Sequence, residues 1–548
     1  MALSHEALYA HLIEDLRPHI SVDQEIAAYL GGTVPIYPDM GPHQYASVAL
    51  LNNITKKLVT KQAESADDVA LAGFKESIGL CEAWELKEDR SLYEDILWGT
   101  FKKVLHDVLI DSVADVGNLM CLASEGNQGP GVAAGVKHTD LYSKLYGSRL
   151  TCSSLSIHDL YMRFVSSNPR WLSAEFIRQL HFGVVPDIRC STLSFVPKTN
   201  DTTRSICAEP TLNMWFQRAY GDKLEQVLRE RFGISLDTQP DLNRELCRIG
   251  SINGNFATID LKSASDSIAL KFLEQCLPRN ILAILKILRS NTTKTPKGEE
   301  LELSMVSTMG NGFTFPLQTL LFSCMVVAVY EVRGKAISRP FTSGDKHRCG
   351  NFGVFGDDII IETDCFNAMK SLLELCGFRI NATKSFASGQ FRESCGSDFL
   401  NGFNVRPVYI KSIQTESSRY ALINLLSYWS ARTNIAISRT LSYCRNTVRF
   451  LPIPRSMPVE VGLHVPFAVM KQYMKLDGNG SVLFKHLSPD PAMCHVSDTK
   501  VVVPRFAKKK IFNPDGLFLF ALRGGLRDGS FSIRPKDDGR YRLRKSVT

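Results

Sequence analysis

Two short apolar runs that meet aspartates constrain this chain more than any other feature. GVFGDDIII (353–361) is a pair of apolar stretches around a Gly-Asp bend, which predicts a β-hairpin with Asp357 and Asp358 at its turn. ATIDL (257–261) is a second apolar strand with Asp260 near its end. Adjacent carboxylates flanked by buried strands repel one another and drive a pKa upward unless a cation neutralises them. Mg²⁺ is the natural counter-ion, because it prefers hard oxygen ligands and shares its coordination with phosphates.

If the two strands are neighbours in an antiparallel sheet, Asp260 and Asp357 face each other across them. Asp260, Asp357 and Asp358 then hold two Mg²⁺ ions about 4 Å apart, with Mn²⁺ as the alternative ion, the arrangement used for in-line displacement at phosphorus. Taken alone, Asp260 reads equally as a turn or helix N-terminal aspartate.

Length and composition set the frame. The 548 residues imply two to four lobes, and 44% hydrophobic with 22% charged residues excludes a disordered or collagen-like chain. The longest apolar stretch, Leu320 to Tyr330, is broken by Ser323 and falls short of the roughly 20 residues of a membrane span. The N-terminus reads as an amphipathic helix without a signal-peptide core, so no membrane association is expected. Fourteen cysteines contain no CxxC pair, which argues against a zinc ribbon or redox dithiol and for free thiols. The net charge of +8 is unevenly spread: residues 401–548 carry 24 Lys and Arg against 9 Asp and Glu. A basic C-terminal region on a slightly acidic body suits a polyanion-binding surface, or a solvated basic tail.

Along the chain, residues 1–120 read as helical. A Gly-rich loop (123–139) imitates a P-loop but has Val136 where lysine is required. Helices are expected at 266–277, capped by Ser265 or Asp266, and at 316–330, with Pro316 in the first turn. His347 and Cys349 have no second ligand pair and read as an exposed loop. Tyr409, Tyr428, Trp429, Arg445, Arg449, Phe506, Lys508, Lys509 and Lys510 suit RNA stacking and phosphate contact, the aromatics equally a hydrophobic core.

The ordered series ATIDLKSASDSI (257–268), STMGNGFTF (307–315), FGDD (355–358), GFRINATKSF (377–386) and FRESCG (391–396) resembles the A-to-E motifs of viral RNA-directed RNA polymerases. STMGNGFTF, FRESCG and VRPVYIK (405–411) are similar to the replicase catalytic subunit of the single-stranded RNA coliphages, the leviviruses, and FVPKTNDTTRSICAEP (195–210) resembles that family's basic fingers motif. The likeness covers about 190–411.

The resemblance implies an α+β, right-hand polymerase fold: fingers and a helical region over 1–250, a palm with an antiparallel sheet over 251–400, and a thumb with the basic region over 401–548. It implies Asp260, Asp357 and Asp358 as metal ligands and Lys198 and Arg204 as triphosphate contacts, whose plain alternative is solvated loop charge. Glu209 would orient one of those cations, and Lys384 would be the general acid for pyrophosphate, or an exposed surface lysine. Asp266 would sense the ribose 2′-hydroxyl, while capping a helix. Gln318, where asparagine is usual, and Asn311 are the alternative ribose or nucleotide contacts, with Gly310 and Gly312 admitting the template pair. Arg392 and Glu393 would lock a palm-to-thumb turn as a pair.

The implied reaction is RNA synthesis from ribonucleoside triphosphates on an RNA template, in the cytoplasm of a bacterial host. By resemblance the partners are host elongation factors Tu and Ts and a ribosomal RNA-binding protein. A reverse transcriptase shares the chemistry, but FGDD stands in place of Y-x-D-D and no RNase H segment is recognisable. A non-catalytic RNA-binding protein working through its basic C-terminal region is the other reading.

Overall fold

The computed structural model describes residues 3–58, 63–112, 115–338, 350–473, 475–476, 481–489, 492–497, 500–502, 512–526, 530–533 and 541–547. His347, Cys349, Phe506 and Lys508 to Lys510 lie outside the described residues. The class is mixed α+β.

At the centre lies the helix Thr314–Val332, packed on the helices Leu92–Ile110, Thr211–Phe232 and Phe366–Leu375. A helix apolar on every side needs protein or lipid all round. By length and hydropathy this is the one described helix able to cross a bilayer, but it is buried in the protein interior from Thr314 to Tyr330 almost without interruption. Core burial accounts for its composition. Pro316 sits in its first turn, where no amide hydrogen bond is lost.

Beside this helix stands an antiparallel sheet of three strands, ordered Phe256–Ile259, Asp358–Glu362, Gly353–Phe355. The helix Gln239–Asn253 contacts all three strands, and the central helix contacts Gly353–Phe355. Ala257, Thr258, Ile259, Val354 and Ile359 to Ile361 are all buried, which is why these strands read as unbroken apolar runs rather than alternating ones. The outer edge of Phe256–Ile259 is covered by the stretch after Gly377. The Thr258 N–H donates to the Phe386 carbonyl at 3.0 Å, and the Phe386 N–H donates to the Thr258 carbonyl at 2.8 Å.

The register corrects one expectation. Ile259 pairs with Ile359 and Phe355 with Asp358, leaving Gly356 and Asp357 as the turn. One step further along the ladder Asp260 comes opposite Asp358, not Asp357, because a turn residue lies outside the ladder.

The helix expected at 266–277 is also shorter. Ser263 adopts a left-handed backbone (φ +49°), a single 3₁₀ turn spans Ala264–Asp266, and the helix runs Leu270–Cys276. Asp266 does not cap it: its carboxylate accepts the Met309 N–H at 3.3 Å.

The hydrophobic cores divide the chain differently from the expected boundaries. One core gathers residues from Phe74 to Phe378 and also takes Leu517, Leu519 and Phe520 of the helix Pro514–Leu522. A second joins Leu3 to Leu58 with Val405 to Leu487. The N-terminal helices therefore pack on the C-terminal third: Arg439 pairs with Glu14 at 2.7 Å, and Asp15 accepts the Thr440 N–H and hydroxyl, each at 2.8 Å. Conversely, Pro514–Leu522 is held to the helix Pro169–Phe182, with Asn513 Nδ2 donating to the Ala174 carbonyl at 2.7 Å and Ser173 Oγ to Asp515 at 2.5 Å. Within the second core Trp429 is buried, while Arg449 is tied to Glu416 at 2.6 Å.

Candidate active site

Asp260 leaves the end of its strand into a clamp. Its N–H donates to Ser385 Oγ at 3.1 Å, its Oδ2 accepts Asn381 Nδ2 at 2.7 Å, and its carbonyl accepts the Asn381 N–H at 2.9 Å. Asn381 escaped the sequence reading, in which GFRINATKSF pointed only to Lys384; Asn381 three residues before that lysine and Ser385 one after it were the available polar signal. Asp358 Oδ1 accepts Ser394 Oγ at 3.4 Å, and its carbonyl accepts Asn243 Nδ2 at 3.3 Å.

The three acids feel one another. Burial, then Asp260, raises the Asp357 carboxyl above its usual range, while Lys384 and Arg204 oppose the rise. Burial, then Asp357, pushes Asp358 up to about 6, with Asp260 and Glu393 adding to it. Half-buried, mutually repelling carboxylates are hard oxygen donors, and that donor set fits Mg²⁺. Among the described residues no three His, Cys, Asp or Glu side chains close on a single ion-sized point.

Cations approach from a ribbon of two antiparallel strands, Ser191–Pro197 and Thr203–Ala208, at one side of a four-stranded sheet completed by Thr292–Lys294 and Glu300–Glu302; the ribbon pairs Val196 with Arg204. Lys198 follows the first strand and its N–H donates to the Thr202 carbonyl at 3.0 Å. Burial, then the charges of Arg204 and Lys384, lower the Lys198 ammonium, and Asp260 and Asp357 pull the other way. Lys384 is half exposed, with its Nζ 3.8 Å from Glu393 Oε1. Lys198, Arg204, Lys384 and the three acids are thus brought into one electrostatic neighbourhood.

The remaining candidates are placed elsewhere or differently. Glu209 does not reach the ribbon cations: it is buried, accepts Ser290 Oγ at 2.6 Å, and lies against Gln217, Asn311 and Arg289. Asn311 is buried with it and accepts the Phe313 N–H at 3.0 Å. Gln318 is buried in the central helix, its Nε2 without a hydrogen bond among the described residues. Gly310 and Gly312 make close approaches inside the protein. A Cβ on Gly310 (φ +115°) would fall 2.2 Å from the Cys207 carbonyl oxygen, and one on Gly312 2.9 Å from the Arg218 nitrogen. Asp266 sits near this glycine loop through Met309, and burial pushes its carboxyl up to about 7.

Arg392 and Glu393 do not pair, because alternation along the strand Phe391–Ser394 sends them to opposite faces. Arg392 is fully buried, with Nε donating to the Phe256 carbonyl at 2.6 Å and Nη1 to the Ser388, Gly389 and Phe391 carbonyls. Glu393 faces Lys384 and Arg406, the latter at 3.5 Å, and Arg406 is itself bound to Asp398 at 2.6 Å.

Residues 149–459, more than half of the chain, match the family described as RNA replicase, beta-chain. The chain belongs to this family. It is 37% identical over 235 residues to the RNA-directed RNA polymerase beta chain of Escherichia phage MS2, covering 43% of this chain and 40% of that one. It is 35% identical over 258 residues to the corresponding chain of Enterobacteria phage fr (47% and 44%), and 34% over 273 residues to the RNA-directed RNA polymerase subunit beta of Escherichia virus Qbeta (48% and 44%). The aligned part therefore spans less than half the length of these relatives. A crystal structure of an insertion-loop deletion mutant of a human picorbirnavirus RNA-dependent RNA polymerase overlays at a TM-score of 0.40 with 11% identity, covering 82% of this chain and 85% of that one.

Proposed function

We propose that this chain is an RNA-directed RNA polymerase that copies a single-stranded RNA phage genome from ribonucleoside triphosphates. One observation carries the reading: Asp260, just past the end of one strand, and Asp357 and Asp358, at the turn onto the neighbouring strand, interact electrostatically with one another and with Lys198, Arg204 and Lys384. The polymerase names of the relatives agree with it. In this reading the sheet and its helices are the palm, the ribbon belongs to the fingers, and the C-terminal third is the thumb of a right-hand fold.

Asp260, Asp357 and Asp358 would hold the divalent ions, two Mg²⁺ by the usual polymerase stoichiometry. When bound, these supply Lewis-acid activation of the attacking hydroxyl and neutralise charge on the leaving pyrophosphate. Lys198 and Arg204 grip the triphosphate, with Arg204 able to bind two phosphate oxygens at once. Lys384 donates a proton to pyrophosphate. Asn381 and Ser385 orient Asp260. Asp266, holding its proton to about pH 7, donates or accepts at the ribose 2′-hydroxyl. Asn311 acts with Glu209 beside it, and Gln318 supports this region from within the core helix. Host elongation factors Tu and Ts and a ribosomal RNA-binding protein are the proposed partners, in the bacterial cytoplasm.

The test is Mg²⁺-dependent incorporation of labelled nucleotide on a primed RNA template, comparing wild type with Asp357→Asn and ribo- with deoxynucleotides. At least a hundredfold loss in the variant and preference for ribonucleotides are expected. Undiminished synthesis by Asp357→Asn rejects the site, and a preference for deoxynucleotides rejects the substrate class.

A further inference from the structure

The helix Pro42–Lys57 belongs to the second core, yet its inner side reaches the candidate site. Tyr45, Asn53 and Lys57 follow one another at spacings of eight and four, an inclined stripe along the helix. The Tyr45 ring lies 5.0 Å from that of Phe391, which begins the strand carrying Glu393. Asn53 is buried beside the Tyr409 hydroxyl, with neither amide atom in a well-formed hydrogen bond among the described residues. Lys57 ends the stripe.

The last carbonyls of a helix have no partners within it. Here they are taken by the turn that joins the two ribbon strands: Asn200 Nδ2 donates to the Thr55 carbonyl at 3.2 Å and the Asn200 N–H to the Lys56 carbonyl at 3.5 Å. Asn200 lies between Lys198 and Arg204 in sequence, so this docking brings the helix end that carries Lys57 against the turn between them. Burial, then the charges of Lys198, Lys384, Arg204 and Arg406, hold the Lys57 ammonium below its ordinary range. Among the described residues no carboxylate pairs with Lys57 within 4.0 Å. A half-buried cation within the field of four other cations, without an acid of its own among the described residues, is a site for an anion.

We propose that Lys57 binds the triphosphate of the incoming nucleotide together with Lys198 and Arg204, so that the N-terminal segment completes the nucleotide site. This rests on the polymerase reading and assigns a residue far outside the family's sequence motifs. A lysine in the last turn of a helix also offsets the helix dipole, but Lys56 does so equally from the exposed side and serves as the control.

The experiment uses the full chain prepared from a bacterial host with any co-purifying subunits. Nucleotide KM and kcat are measured on a primed RNA template for wild type, Lys57→Gln, Lys57→Arg and Lys56→Gln, alongside equilibrium binding of labelled nucleoside triphosphate and of RNA. Lys57→Gln is expected to raise KM and weaken nucleotide binding roughly tenfold, the loss of one charge-assisted phosphate contact. kcat and RNA affinity stay within about twofold, Lys57→Arg restores KM, and Lys56→Gln leaves it unchanged. Unaltered nucleotide binding in Lys57→Gln overturns the inference, as does an equal effect of Lys56→Gln or a loss confined to RNA affinity. Should Lys57→Gln fail to fold, Lys57→Arg decides: near-wild-type KM supports the inference and a tenfold rise overturns it. A wild-type chain whose incorporation is no greater than that of Asp357→Asn fails the polymerase reading itself, a separate result.

Discussion

Asn381 Nδ2 donates to Asp260 Oδ2 at 2.7 Å, so the orientation of the acid is set by a residue 121 positions downstream. An amide that bonds one carboxylate oxygen leaves the other free and fixes the plane of the group. Removing such a support from a metal ligand typically costs ten- to a hundredfold in affinity or activity. Asn381→Ala is therefore expected to shift the Mg²⁺ requirement for nucleotide incorporation upward by about tenfold while leaving thermal stability nearly unchanged. A Mg²⁺ titration of initial rates checks it, and an unchanged half-saturation point contradicts it.

Gly356 is required at the hairpin turn for two independent reasons. Its backbone is left-handed (φ +61°), and an added Cβ would lie 2.3 Å from the Phe315 ring. Its N–H also donates to Thr319 Oγ1 at 3.0 Å, tying the turn to the central helix. Gly356→Ala is expected to lower stability by roughly 2–4 kcal/mol and to displace Asp357 and Asp358, which follow it in the turn. Urea unfolding of the variant measures the first effect and nucleotide incorporation the second.

Stability and metal should be linked through Asp358. Its carboxyl is raised from 3.8 to about 6, so the folded chain keeps a proton that the unfolded chain gives up over that range. The protonated acid favours folding at low pH, and this contribution is lost as pH rises through about 6, leaving a penalty of roughly 2–3 kcal/mol above it. In metal-free buffer near pH 7.5, Asp358→Asn should be more stable than wild type by about that amount, with little difference near pH 4. Mg²⁺ should stabilise wild type more at the higher pH and Asp358→Asn far less. Thermal melts at the two pH values with and without Mg²⁺ supply the comparison.

Arg392 stabilises the site without taking part in it. Its guanidinium bonds four backbone carbonyls from full burial, and lysine, a point charge with different reach, cannot reproduce that fork. Arg392→Lys should cost roughly 2–4 kcal/mol of stability, because buried carbonyls lose their donors. The fraction that folds should keep the wild-type Mg²⁺ dependence; a changed Mg²⁺ optimum at unchanged stability would assign Arg392 to the chemistry instead.

The sheet and its acids were legible because both strands are buried on two faces and must be apolar to the point where they meet the cleft. Asp260 and the Gly356–Asp358 turn stand out against such runs. The cation ribbon was legible through its motif. What remained hidden depends on contacts between distant segments. Neither the spacing of Glu209 nor its charge reveals that it is sequestered with Ser290 and Asn311, and an alternating strand separates Arg392 from the adjacent Glu393. Asn381 and Lys57 are polar residues in ordinary surroundings until the fold brings Asp260 and the ribbon to them. The register error at Asp357 has the same origin, since a two-residue turn removes that side chain from the strand pairing.

The sharing of Leu3–Leu58 with Val405–Leu487 in one core has a consequence for synthesis on the ribosome. The first helices emerge with an apolar surface whose partners have yet to be translated, and the helix Pro514–Leu522 must then return to Pro169–Phe182. The core shared by Leu3–Leu58 and Val405–Leu487 cannot close before Leu487 has left the exit tunnel, and until then the helices of Leu3–Leu58 expose apolar surface that holding chaperones bind.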